Sequence, residues 1–128
     1  MSRLKTGFSL QARLKSFVYA GRGLRWLVQD EHNARLHLAA SILVVAAGAF
    51  LKISMNDWRW LIVAMALVWL AEAFNTMVEE LCDRIQPDFD PAIGRIKDIA
   101  AGAVLIAAMV SALIGMMTLG PPLLKLLG

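Results

Sequence analysis

The stretch AEAFNTMVEELCDRI, residues 71–85, decides how the rest of the chain is read. It continues the apolar run Trp58–Leu70 without a glycine or proline, yet it carries Glu72, Asn75, Glu79, Glu80 and Asp83. At 100° per residue, Glu72, Asn75, Glu79 and Asp83 project at about 0°, −60°, −20° and +20° around a helix. Four polar groups therefore share one narrow face. Glu80 points about 80° away from that stripe and reads as a solvated interface residue.

Working outward, the flanking composition belongs to a membrane. The chain has 128 residues, enough for one domain, of which 59% are apolar. Its mean hydropathy of +0.61 exceeds that of an ordinary soluble domain. Three segments account for the excess. Leu36–Ile53 is apolar apart from its ends, where His37 and Lys52 can snorkel. Trp58–Leu81 is long enough to span but turns acidic in its second half, and Ile99–Leu119 has only Ser111 and Thr118 as polar side chains. A spanning helix needs about 20 mainly apolar residues, so an all-α protein with three transmembrane helices is expected, at about 36–53, 58–81 and 92–119. The competing reading is a soluble helical bundle. Residues 120–128 read as a C-terminal tail.

Basic residues set the orientation. Arg3, Lys5, Arg13, Lys15, Arg22, Arg25 and Arg35 precede the first span, and Arg84, Arg95 and Lys97 flank the loop between the second and third. The opposite side holds only Lys52, Arg59 and Lys125. Positive-inside bias puts the N-terminus and the 82–98 loop in the cytoplasm and the C-terminus outside. The pI near 9.4 reflects residues that flank helices, which suits anionic headgroups and not nucleic acid. No secretory signal is visible in residues 2–35. The lone Cys82 leaves no intramolecular disulfide and no second cysteine for a metal, and reads as a small apolar filler.

Leu10, Leu14, Phe17, Gly21, Leu24 and Val28 recur at three- and four-residue steps, with Lys15, Arg22 and Gln29 opposite. That pattern makes residues 1–35 an amphipathic interfacial segment, with Gly21-Arg22-Gly23 expected to bend or interrupt its helix. A membrane anchor does not explain Asp30 and Glu31, which anionic headgroups would repel. His32 and His37 read as interface residues.

Depth sharpens the acidic stripe. If the helix emerges near Asp83, Glu72 lies roughly 16 Å below that point, close to the headgroup–hydrocarbon boundary. A carboxylate there costs at least about 2.5 kcal/mol, and intramembrane ionisable groups are functional candidates by default. A single one reads as a structural partner for an arginine; several on one stripe repel each other unless a cation lies among them. Asp90-Pro91 reads as an N-cap with proline in the first turn, which brings Gly94, Lys97 and Asp98 to a depth similar to Glu79. Carboxylates that hold Mg²⁺ by one or two oxygens, leaving the other positions to water and phosphate, are a common way to bind a metal–nucleotide. A further carboxylate that takes a hydroxyl proton would complete a phosphoryl-transfer site. No phosphate-binding G-x-x-x-x-G-K-[ST] loop and no protein-kinase signature occurs, and YAGRGLRW lacks the third glycine and preceding strand of a dinucleotide fingerprint.

With these residues identified, the chain resembles the bacterial membrane diacylglycerol kinase and undecaprenol kinase family from about Lys15 to Gly115. The carriers are SFVYAGRGL, the glutamate of DEHNARLH, E-x-x-N-x-x-x-E-x-x-x-D-R as EAFNTMVEELCDR, and GRIKDIAAGAVL. The resemblance implies a homotrimer with three transmembrane helices and a surface helix per subunit, transferring the γ-phosphoryl of MgATP to a lipid alcohol. It implies Glu72 as general base and Glu31 and Glu79 as metal-coordinating glutamates. It implies Lys97 and Asp98 as nucleotide contacts, Tyr19 as an aromatic beside the nucleotide, and Asp88, Phe89 and Asp90 as the loop approaching ATP. Asn75 and Asp83 match supporting polar positions. One departure is visible: the family arginine is replaced by Ala12, with Arg13 beside it.

The lipid product follows from the acceptor: phosphatidic acid from diacylglycerol, or undecaprenyl phosphate from undecaprenol. SFVYAGRGL and EHNARLH look closer to the undecaprenol branch. The bacterial inner membrane is the implied location, with the site on its cytoplasmic face and shared between subunits. A small ion- or proton-coupled transporter using Glu72 is the competing function, although transport sites usually lie near the midplane between repeats. A non-enzymatic assembly protein would need small packing residues and not acids. The series Ala103, Ala107, Ser111 and Gly115 supplies such a packing seam on the third span.

Overall fold

A computed structural model describes residues 7–128. It contains four helices in chain order: α1 (Leu10–Asp30), α2 (His32–Leu51), α3 (Met55–Ile85) and α4 (Pro91–Leu127). Among the described residues there is no strand. Arg3 and Lys5, counted above toward the basic N-terminal segment, lie outside the described residues.

Three helices, α2, α3 and α4, are long and apolar enough to cross a membrane. Their lengths differ in an informative way. The 20 residues of α2 match a bilayer, whereas α3 has 31 residues and α4 has 37. At 1.5 Å per residue α3 is about 46 Å long, well beyond a hydrocarbon core of about 30 Å. The acidic half of α3 is the part that the hydrocarbon does not need.

Three of the helices, α1, α3 and α4, start where a side chain supplies an acceptor for orphan backbone N–H groups. Ser9 accepts from the Ala12 N–H at 3.3 Å, and Ser54 from the Asp57 N–H at 3.1 Å. Asp90 accepts from the Ala92 and Ile93 N–H groups at 2.8 and 3.4 Å, with Pro91 opening α4, as its sequence predicts. At the other membrane face, α2 ends on Lys52 in the left-handed region (φ 50°), and the Ile53 N–H returns to Gly48 O at 3.2 Å. Gly48 is required there. A Cβ at that position would lie 2.8 Å from Trp58 Cη2, so the end of α2 meets the start of α3 only because the side chain is absent.

One expectation is corrected, and two helices extend beyond the spans read from the sequence. The helix α1 runs unbroken through Gly21-Arg22-Gly23. Each interior glycine weakens a helix by about 1 kcal/mol without breaking its i→i−4 bonds, and nothing lies within 4 Å of where either Cβ would stand. The helix α2 starts at His32 and not near residue 36, leaving Glu31 as the single non-helical residue between α1 and α2. Finally, α4 continues through Pro121 and Pro122 to Leu127, so residues 120–127 are helix where a tail is expected. Proline's fixed φ is itself helical, so the chain keeps its course and forfeits backbone bonds.

The helix α3 packs mainly against α4 and more lightly against α2. Leu61, Ala64, Glu72, Asn75, Thr76 and Cys82 are its buried residues, all at helical spacing on one inward face. That face is apolar in its outer half and changes to polar at Glu72. The Ser111 hydroxyl, on the small-residue seam of α4, donates to the Ala64 carbonyl at 2.8 Å and ties α4 to α3 at mid-span. Ser111 and Gly115 also line a cleft of about 270 Å³ between α2, α3 and α4. The apolar residues of α1 predicted to face the membrane, Leu10, Leu14, Phe17 and Leu24, are exposed, while Leu27 is buried.

Candidate active site

Glu72 is the centre of the site because of where α3 places it: its side chain is 1% exposed. Among the described residues neither carboxylate oxygen has a hydrogen-bond partner, and the same holds for Asn75 Oδ1 and Thr76 Oγ1. Buried polar atoms are normally satisfied, so a group of such atoms on two adjacent turns of one helix calls for a ligand or a reacting group. His37 of α2 approaches Glu72, with Nε2 3.5 Å from Oε2. One turn further out on the stripe, the Asn75 amide donates to Glu79 Oε1 at 3.5 Å.

Glu31 stands across from this stripe. Its backbone caps the end of α1, donating to Leu27 O at 3.2 Å, and its side chain makes no capping bond to α2, so the carboxylate is left available. Arg35 fixes the junction by donating to the carbonyls of Val28 (3.0 Å) and Gln29, the last turn of α1. A cation on those carbonyls also opposes the negative end of the helix. Burial raises the Glu31 carboxyl above its ordinary range, reinforced by the charges of Glu79, Glu72, Glu80 and Asp30 in that order. Asp30, Glu31, Thr76 and Glu80 line a groove between α1 and α3. The acids on three elements thus act on one another electrostatically, an arrangement that a cation would relieve.

A divalent metal bound wholly by protein is not what the geometry offers. Among the described residues no group of three or more histidine, cysteine or carboxylate side chains is placed to hold one. Two glutamates with the remaining positions left to water and phosphate oxygens fit a metal that arrives with a nucleotide.

The other expected residues are spread around this centre. Tyr19 is exposed on α1, with the Arg22 guanidinium 5.7 Å from its ring centre. Lys97 is paired with Asp83, joining α4 to the C-terminal end of α3. Asp88, Phe89 and Asp98 are exposed, and Asp90 Oδ1 is engaged as the α4 N-cap. Ala12 and Arg13 are exposed on α1. Cys82 is buried, as a small filler should be.

Sequence reasoning missed His37, Arg35 and Thr76 as members of the site. The signal for Thr76 was present, since it follows Asn75 on the inward face. For His37 the pairing depends on the α2–α3 register, set by the Trp69 indole N–H donating to Ser41 Oγ at 3.1 Å. No local pattern encodes that contact.

Comparison with known proteins gives the family of the chain. The undecaprenol kinase of Bacillus subtilis (strain 168) is 34% identical over 109 residues, 85% of this chain and 89% of that protein. The diacylglycerol kinase of Escherichia coli (strain K12) is 32% identical over 111 residues, 87% of this chain and 89% of that protein. A family profile described as Prokaryotic diacylglycerol kinase matches residues 18–119, which includes all of α2 and α3, the inward acids and most of α4. The chain belongs to the prokaryotic diacylglycerol kinase family.

Proposed function

We propose that this lipid kinase transfers the γ-phosphoryl group of MgATP to the hydroxyl of a membrane lipid alcohol, with Glu72 as general base. The observation that carries the reading is the buried Glu72 carboxylate, whose oxygens lack hydrogen-bond partners among the described residues. It lies on a helix long enough to cross the bilayer, and at 1.5 Å per residue it would sit roughly 16 Å from Asp83, at the depth of a lipid headgroup if the helix emerges there. A base there meets a hydroxyl held at the membrane boundary by its own hydrocarbon chain.

In the step itself, the lipid oxygen forms a bond to the γ-phosphorus as the bond from that phosphorus to the β–γ bridging oxygen breaks. The hydroxyl proton passes to a Glu72 oxygen, and ADP leaves with the bridging oxygen. Glu31 and Glu79 would hold the divalent ion that accompanies the nucleotide, which when bound would neutralise phosphate charge. Asn75 orients Glu79 through its amide. Lys97, Asp98, Tyr19 and the Asp88–Asp90 loop serve as nucleotide contacts. Lys97 then exchanges Asp83 for a phosphate oxygen, a change that a flexible ammonium makes without moving the helix.

The same reading makes residues 1–35 an interfacial segment and 36–119 the kinase domain. The N-terminus and site face the cytoplasm of a bacterial inner membrane, and three copies assemble so that sites lie between subunits. Many large apolar side chains are exposed on the single chain, from Phe17 on α1 to Ile106 and Met117 on α4, which lipid and neighbouring copies would cover. Purified protein in mixed micelles tests the function. Transfer of label from γ-labelled ATP to diacylglycerol or undecaprenol is expected, with a requirement for Mg²⁺. ATP consumption that neither lipid stimulates would refute it.

A further inference from the structure

A general base works only if a lone pair faces the incoming hydroxyl, and a glutamate reaches its carboxylate through three rotatable bonds. Something must hold Glu72, yet its neighbours on α3 do not. The Asn75 amide is turned to Glu79, and among the described residues neither Glu72 oxygen has a hydrogen bond. The group that approaches from another helix is the His37 imidazole, Nε2 to Oε2 at 3.5 Å, its side chain 22% exposed against 1% for Glu72.

His37 is itself held in register. The Ser41 hydroxyl, one turn along α2, donates to the His37 carbonyl at 2.7 Å. Ser41 Oγ in turn accepts from the Trp69 indole N–H at 3.1 Å. Trp69 precedes Glu72 by three residues, so two linked hydrogen bonds fasten the His37 turn of α2 to the Glu72 turn of α3. Beyond His37 lies the three-helix cleft, lined by Ala40, Val44, Ala64 and Val68, with Ala108 and Ser111 from α4. None of the cleft's lining residues besides His37 titrates. In such low-polarity surroundings a single hydrogen bond orients strongly.

We propose that His37 is the positioning residue of Glu72: its Nε2–H donates to Oε2 and turns Oε1 toward the lipid hydroxyl. This rests on Glu72 being the general base. Catalytic hydrogen bonds are often long before substrate binds and tighten in the complex, which accounts for a 3.5 Å approach.

The test uses full-length protein in mixed micelles with the lipid alcohol that the wild type phosphorylates. Misplacing a reacting group by about 1 Å lowers rates about 100-fold, so His37→Leu should reduce kcat about 10- to 100-fold. KM for the lipid and for MgATP should stay unchanged. His37→Gln, whose amide N–H can reach the position of Nε2, should restore most of the lost kcat. In a Glu72→Gln background, His37→Leu should add no further loss, because the two residues act as one unit. His37→Leu at wild-type kcat, His37→Gln as slow as His37→Leu, or an added loss in the Glu72→Gln background each overturns the proposal. Should His37→Leu fail to assemble, His37→Asn carries the same comparison, since its amide is one methylene too short to reach. A wild type inactive on every lipid alcohol refutes the kinase reading; an active wild type with any of the three results above refutes the role of His37 alone.

Discussion

Replacing Glu72 by glutamine should move activity and stability in opposite directions. The residue is 1% exposed, and among the described residues neither oxygen accepts a hydrogen bond. A buried group left without its hydrogen bonds costs about 1–3 kcal/mol, and a charged one costs more. Insertion scales put an acidic side chain at the centre of a membrane helix at about 2.5–3.5 kcal/mol, and Glu72 lies nearer the boundary than the centre. The His37 imidazole at 3.5 Å returns part of that cost. The amide has the same shape and no charge, so Glu72→Gln should stabilise the folded protein by about 1–2 kcal/mol. Turnover should fall by about 10²-fold or more, because general-base assistance typically contributes about 10²–10⁴-fold. Nucleotide affinity should be nearly intact. Unfolding in mixed micelles, titrated with increasing mole fraction of sodium dodecyl sulfate, measures the first quantity, and label transfer to lipid measures the second. A variant that unfolds earlier than wild type would show that the carboxylate is satisfied in the assembled enzyme. A variant that turns over normally would remove Glu72 from the chemistry.

Glu31→Gln and Glu79→Gln should each raise the Mg²⁺ concentration needed for half-maximal turnover, since each removes an anionic oxygen from a divalent cation; an unchanged Mg²⁺ titration would exclude that residue as a ligand. Gly48→Ala places a Cβ 2.8 Å from the Trp58 ring. The overpacking costs about 1–3 kcal/mol against a helix-propensity gain of about 1 kcal/mol, so unfolding should come earlier, and Trp58→Leu in the same chain should reverse it. Mixing inactive Glu72→Gln subunits with inactive Glu79→Gln subunits should regenerate activity if one site draws these groups from different chains. Demonstrated subunit exchange with no activity at any ratio would refute shared sites.

The parts of the molecule legible in sequence are those that local chemistry decides. Glu72, Asn75, Glu79 and Asp83 share a face because a helix has a fixed period, and Asp90-Pro91 starts a helix because an acceptor and a helical φ lie side by side. The burial of Glu72 was readable too, since Leu61 and Ala64 on the same face are apolar and α3 is continuous. The errors came where a local preference was weighed as a rule. Two glycines weaken α1 without interrupting it, and Pro121-Pro122 leave α4 helical to Leu127. His37 shows a different limit. Its sequence context, at the start of an apolar run, fits an interface residue, and only Ser41 and Trp69, 28 positions apart, determine that it faces Glu72.

Glu31 connects these two kinds of information. Its charge made no sense on a membrane-surface helix, and the structure supplies the reason in the backbone: α1 and α2 are joined by that one residue. A one-residue joint permits few paths, and Arg35 closes it further by holding the last carbonyls of α1 from the first turns of α2. The Glu31 carboxylate therefore does not wander over the membrane surface. It is held where burial, and then the charges of Glu79, Glu72 and Glu80, raise its proton affinity. A protein gains nothing in stability from that arrangement. In the proposed function the repulsion would become useful once a divalent cation enters with a nucleotide, because the charges that oppose folding would attract the metal. On the proposed reading Arg35 would then serve the metal site along with the glutamates, since it ties the joint that sets Glu31 against α3.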